Sequence, residues 1–251
     1  MKDKYLPSSY LEISVLIFVA LCVVFGVTES RVNIEWFEQV YVVEDGFIEW
    51  LTVLALVAVS GSMFYRYFRL SNHKPRLFRL TLLLIGVLAL FGAGEEISWG
   101  QRIFNIESTA FFNAHNSQQE TNLHNMVVNG TKINKLVFSK LLMVAILLYL
   151  IAFPIAYSQS AALKNFTDKV AGVAVPKLYQ VFFFLVFLGL AWLCPSGKRA
   201  ELIEFSSCTM FLLIFLYPLN NLIYEEKEKR QPAFVPDLKE NNTFASCRRG
   251  K

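Results

Sequence analysis

Leu80-Thr81-Leu82-Leu83-Leu84-Ile85-Gly86-Val87-Leu88-Ala89-Leu90-Phe91-Gly92-Ala93-Gly94-Glu95-Glu96-Ile97-Ser98-Trp99 is a predominantly apolar run that closes on two adjacent carboxylates. About 20 such residues cross the roughly 30 Å of a bilayer's hydrocarbon, so this run reads as a membrane span. Five further runs read the same way: 11–27, 47–67, 136–157, 178–194 and 205–224. The composition agrees. Of 251 residues, 55% are apolar, 18% are charged and 23 are Phe, with a mean hydropathy of +0.42. A soluble domain carries about 25% charged residues.

The expected fold is therefore all-α: a polytopic membrane protein of six transmembrane helices, with short amphipathic interfacial helices in the outer loops. Residues 1–224 form the membrane domain. Residues 225–251, polar and holding Pro232 and Pro236, read as a flexible cytoplasmic tail. Run 11–27 also resembles a signal peptide, with Lys2 and Lys4 before it. Its exit, Gly26-Val27-Thr28-Glu29-Ser30, lacks a small-x-small cleavage site, which favours a retained helix.

Loop charges set the expected orientation. Arg66, Arg69, Lys74, Arg76 and Arg79 crowd one turn, with His73 among them and no acid. The preceding loop holds Glu29, Glu35, Glu38, Glu44 and Asp45 against Arg31 alone. Positive loops stay cytoplasmic. Six spans with both termini inside satisfy every loop, and the reading places the chain in a bacterial inner membrane. The formal net charge of +4 serves this asymmetry; no basic block interleaves with aromatics, so nucleic acid is not an expected partner. Cys22, Cys194, Cys208 and Cys247 make no metal or disulfide framework and read as small apolar side chains, with a Cys194–Cys208 bridge as the weaker alternative.

Depth turns the carboxylates into candidates. Glu95 lies 15 residues into its span, about 22 Å along a helix. Glu49 enters the neighbouring span from the same side, about one turn deep. Intramembrane carboxylates are costly and by default mark a cavity, a pathway or a site. On a continuous helix Gly92, Glu96 and Gly100 form one stripe that lets another helix approach Glu96. Glu95, Trp99 and Arg102 form the next, which sets Arg102 to neutralise Glu95. The plainer alternative is an ion pair that only locks two helices.

The second outer loop carries His115-Asn116-Ser117-Gln118-Gln119-Glu120-Thr121-Asn122-Leu123-His124-Asn125. Were it helical, Asn116, Glu120 and His124 would share a face. Glu120 could then orient His124 as a base, or His115, His124 and Glu120 could hold a divalent metal ion. The plainer alternative is a polar loop whose amides cap turns. Phe104, Ile106, Phe111 and Phe112 before it, and Met126 to Val128 after it, bring the loop back to the interface. The first outer loop, Ile34 to Asp45, reads as a short amphipathic helix with Phe37, Val40, Tyr41 and Glu44 aligned.

No P-loop, Gly-x-Ser-x-Gly elbow or zincin motif is present, and three histidines are too few for the His-rich pattern of membrane desaturases. The leading functional expectation is a membrane-embedded hydrolase or transferase acting on a lipid or lipid-linked substrate. Glu95 or Glu96 would serve as acid or base, His124 as base or metal ligand, Glu120 as its orienter, and Arg102 as an anion holder. Glu44, Asp45, Glu49, Trp99, Gln101, Asn116, Asn122 and Asn125 would line the pocket. An ion-coupled transporter using the same carboxylates, and a non-catalytic accessory subunit, are the alternatives.

Overall fold

The computed structural model describes residues 7, 9–123, 126–128, 131–132 and 141–225. Within them the chain is mostly helical, with irregular connections and a two-residue antiparallel ladder, β1 (Val127–Val128) against β2 (Thr131–Lys132). Of the expected flexible tail, 225–251, all but Glu225 lies outside the described residues, as does the start of the fourth apolar run, 136–140.

Four helices are long and apolar enough to cross a membrane: α1 (Tyr10–Val32), α3 (Phe47–Arg69), α4 (Arg76–Glu96) and the rod Leu142–Gln159. That rod is α7 (Leu142–Leu147), a wider π turn at Leu148–Ala152, and α8 (Phe153–Gln159); the short α9 (Ala161–Phe166) follows it. The wider turn immediately precedes Pro154, which has no amide hydrogen to donate to a regular ladder. Two more helices complete the bundle. α10 (Leu178–Trp192) is shorter, and α11 (Arg199–Leu216) carries three charges near its start.

These helices leave large apolar side chains on the outside: Leu21 is 65% exposed, Leu88 66% and Phe182 61%. Water does not tolerate a surface of that kind over whole helices, whereas lipid does. The molecule is an integral membrane protein. Inside, one apolar core joins α1, α10 and α11 through Val23, Phe187 and Phe205. A second joins α3 and α4 through Met63, Phe78 and Leu82.

Short connections and end-to-end contacts order the helices. α3 and α4 are joined by the basic turn 70–75 and run antiparallel. α11 packs on α3 with its C-terminus beside that turn: Arg66 Nη1 donates to Phe215 O at 2.5 Å, and its guanidinium lies 3.9 Å from the Tyr224 ring centroid. The last carbonyls of α11, which no helical amide can reach, are thus satisfied by a cation. α10 delivers the chain to the opposite end, where Arg31 Nη2 donates to Leu193 O at 2.6 Å. The bundle therefore has a basic end, with Arg66, Arg69, Arg76 and Arg79, and an acidic end, where α1 and α4 finish and α3 and α11 begin.

Two glycines are required by backbone or space. Gly172 ends a π turn at φ +69°, and a Cβ there would meet the Phe78 ring at 2.6 Å. Gly100 sits at φ +78° in the break after α4.

The bounds of the sixth and third expected spans change. The sixth helix begins at Arg199, six residues before the predicted 205, because the turn Pro195-Ser196-Gly197 is its start signal and a helix can open on charged residues. It stops at Leu216, ahead of Pro218. α4 ends at Glu96 and not at Trp99, as Ser98, Trp99 and Gly100 all take positive φ. Cys194 and Cys208 are free thiols, as the plainer reading had it. The short helix expected over 34–45 is present as α2 (Ile34–Trp36) with a π turn at Phe37–Tyr41. Its Tyr41 hydroxyl donates to Cys22 O at 2.9 Å, which ties it to α1.

Candidate functional site

Glu49 is the third residue of α3 and its Oε2 accepts the Asp45 amide at 2.8 Å, so the carboxylate both caps the helix and faces the acidic end. Asp45 holds φ +57°, which turns the chain tightly into α3. Directly after the break that follows α4, α5 (Gln101–Phe104) presents Arg102 back toward this point.

Arg102 is the hub. Its Nη2 lies 2.9 Å from Glu49 Oε1, its Nη1 2.5 Å from Glu120 Oε1 and its Nε 2.7 Å from Asp45 Oδ2. The Asp45 contact is a close ion contact without hydrogen-bond alignment. Nη2 also donates to Glu96 O at 3.2 Å. Burial works against the guanidinium's charge, but the Glu120 hydrogen bond and the charges of Glu120, Glu49 and Asp45 outweigh it and hold its pKa above the ordinary value.

Glu120 is buried and fixed on its other oxygen, where Oε2 accepts from Ser98 Oγ at 2.8 Å and Asn122 Nδ2 at 2.9 Å. The positive φ at Ser98 aims its hydroxyl at this carboxylate. Asn116 organises the loop: its Oδ1 accepts the amides of Gln118 and Glu120, and its Nδ2 donates to Asn122 O at 2.9 Å. Gln101 Oε1 accepts the Thr121 amide at 2.6 Å. Glu95 accepts from Trp99 Nε1 at 2.8 Å and from the Leu123 amide at 2.6 Å. Gln118 donates to Glu44.

These groups surround a polar cavity of about 80 Å³, enough for a few waters or small ions. Seven glutamates line it: Glu44, Glu49, Glu95, Glu96, Glu120, Glu201 and Glu204, with Gln118 and Asn122 between them. Arg102 is the one cation in the lining among the described residues. The carboxylates of Glu96, Glu201 and Glu204 have no hydrogen-bond or ion-pair partner among the described residues, unlike those of Glu49, Glu95 and Glu120.

Most of the predicted residues therefore meet: Glu44, Asp45, Glu49, Glu95, Glu96, Trp99, Gln101, Arg102, Asn116, Glu120 and Asn122. The detail differs in four ways. Arg102 pairs with Glu49, Asp45 and Glu120 and not with Glu95, because the backbone break displaces it from the helical register assumed for it. The Gly92–Glu96–Gly100 stripe does not form, for the same reason. The loop is not one helix: α6 (Ala110–His115) ends at His115, so Asn116 reaches Glu120 through its amide oxygen and not as a helical neighbour. His115 is exposed, its Nδ1 on Phe111 O at 2.9 Å and its ring stacked on Phe111, with no partner in common with Glu120. His124 and Asn125 lie outside the described residues. Among the described residues no three His, Cys, Asp or Glu side chains are grouped to hold a metal ion.

Glu201 and Glu204 were missed. Four charged residues from Lys198 to Glu204 dilute the apolar run, so the predicted span starts after them. The signal available was the Pro195-Ser196-Gly197 turn followed by an acid at the third helical position, where the helix dipole favours it. The chain matches no known protein family, no curated protein and no solved structure.

Proposed function

We propose that this protein is an ion-coupled membrane carrier whose acid-lined cavity exchanges protons or small cations. The carrying observation is that three cavity carboxylates, Glu96, Glu201 and Glu204, lack any fixed partner among the described residues, while Arg102 is fully occupied by others. A dense set of carboxylates around one cation binds and releases protons as a coupled group. A carrier also needs polar groups toward its other end. At the basic end Asn220 Nδ2 donates to Asp168 Oδ1 at 2.9 Å, and buried Lys177 lies 3.4 Å from buried Glu12. Two features weigh against a lipid hydrolase or transferase. All three guanidinium nitrogens of Arg102 already face carboxylates, so it does not offer itself to a phosphate. A cavity of about 80 Å³ is below the 300 Å³ or so of typical small-molecule pockets.

The test uses everted membrane vesicles energised to an inside-acid pH gradient and read by acridine fluorescence. Vesicles containing the protein should lose part of the gradient on addition of one of Na⁺, K⁺, Li⁺ or Ca²⁺. If no cation dissipates it more than in vesicles lacking the protein, the carrier reading fails.

The proposal includes the topology. Six crossings, α1, α3, α4, the rod Leu142–Gln159, α10 and α11, would put the basic end in the cytoplasm and the cavity outside. The support is the loop-charge asymmetry and the alternation of helix directions. In a cysteine-free variant, a cysteine placed at position 118 should react with an impermeant maleimide in intact cells, and one at position 73 should react only after lysis. The reverse pattern would invert the protein.

A further inference from the structure

We propose that the groove between the end of α3 and the first two turns of α4 binds one anionic phospholipid. Arg76 and Arg79 would hold its phosphate, and Leu77, Leu80 and Leu83 would line its acyl chain. The groove has a volume of about 450 Å³ and Tyr67 forms its remaining wall. It lies at the opposite end of the bundle from the acidic cavity.

Charge is the first argument. No acidic residue occurs between Glu49 and Glu95, so nothing in α3, the turn or α4 up to its last two residues neutralises this patch. Arg76 is the first residue of α4 and Arg79 lies in its first turn, with no acid beside them. A helix N-terminus already carries partial positive charge, so two arginines there act against the dipole unless an anion joins them. The neighbouring cations are otherwise engaged: Arg66 on Phe215 O and Leu216 O, Arg69 on Tyr224 O, and Lys74 over the Phe78 ring.

The arginine pair also carries an unsatisfied donor. Arg79 Nε is buried and has no hydrogen-bond partner among the described residues. Buried donors in folded proteins are nearly always paired with protein, water or an ion.

The groove's apolar wall favours a lipid over a free anion. Both arginines lie in the first turn of α4, and beyond Arg79 the wall continues as Leu80 and Leu83 alone, which matches the order of headgroup and acyl chain entering a bilayer. Leu77 is 44% exposed and Leu80 46%, an apolar wall that inorganic phosphate has no use for. Basic pockets between membrane helices on the cytoplasmic side hold anionic headgroups in this way.

The full-length protein in mild detergent, mixed with equal dioleoylphosphatidylglycerol and dioleoylphosphatidylcholine, is read by native mass spectrometry. The wild type should retain the glycerol lipid over the choline lipid by about thirtyfold, the scale expected of two arginines near a headgroup. Arg76→Gln with Arg79→Gln should retain the two lipids equally. Should that double variant not fold, Arg79→Gln alone should cut the preference at least in half. Equal retention by the wild type, or an undiminished preference in the variant, overturns the proposal. Displacement of the bound lipid by an equal concentration of inorganic phosphate also overturns it, by making the site one for small anions.

Discussion

Arg102→Ala is expected to lower the melting temperature of the purified protein by about 5–10 °C. The substitution leaves Glu49, Glu120 and Asp45 facing one another without their common cation. Removing one member of a buried ion cluster costs about 3–5 kcal/mol. Here the guanidinium is 23% exposed and the Asp45 side chain 39%, so water screens part of the loss and about 2–3 kcal/mol is the better figure. For a chain of this length each kcal/mol shifts the melting point by about 2–4 °C. Arg102→Lys should recover about half, because an ammonium keeps the charge but lacks the planar fork that meets three carboxylates at once. In Arg102→Ala the penalty is repulsion between ionised carboxylates, and protonation relieves it. The gap between variant and wild type should therefore narrow as pH falls from 8 to 5. A gap that is constant with pH would mean that lost packing, not charge, causes the damage.

Neutralising the unpartnered carboxylates should do the opposite. Glu96→Gln, Glu201→Gln and Glu204→Gln each keep the side-chain volume and remove the exchangeable proton. The cation-driven loss of the vesicle pH gradient should fall about tenfold or more, equivalent to about 1.4 kcal/mol. Melting temperatures should stay within about 2 °C of wild type or rise, since a like charge is removed from a crowded set. The contrast with Arg102→Ala is the point: one change breaks the scaffold that fixes Glu49 and Glu120, the others silence groups that no contact holds. A silent and stable Glu96→Gln, with Glu204→Gln equally silent, would instead favour the accessory-subunit reading.

Residues local in sequence carried most of the fold. The runs behind α1, α3, α4 and α10 are legible because each is apolar for several turns with turn residues at its ends, and their boundaries fall within a few residues except where α1 runs on to Val32 and α4 starts at Arg76. That Glu49, Glu95 and Glu96 come to the same end of the bundle followed from counting along a helix. What could not be read is non-local. Whether Arg102 meets Glu95 or Glu49 depends on the break at Ser98 and Trp99, and only Gly100 announces a positive φ there. Glu120 enters the cavity through an irregular loop that Asn116 organises by hydrogen bonds, a geometry with no periodic signature. Glu201 and Glu204 were lost because a hydropathy reading discards charged residues, the very residues a membrane cavity is made from.

Infrared difference spectroscopy on the carboxyl stretch tests the central claim most directly, since it sees protons on carboxylates and nothing downstream of them. The full-length protein is stepped from pH 9 to pH 5, and the wild type is compared with the Glu96→Gln, Glu201→Gln, Glu204→Gln triple variant. The cavity reading predicts a protonated-carboxyl band in the wild type that is largely missing from the triple variant, while both proteins melt at similar temperatures. Superimposable difference spectra from the two proteins would show that these three carboxylates do not exchange protons, and would contradict it.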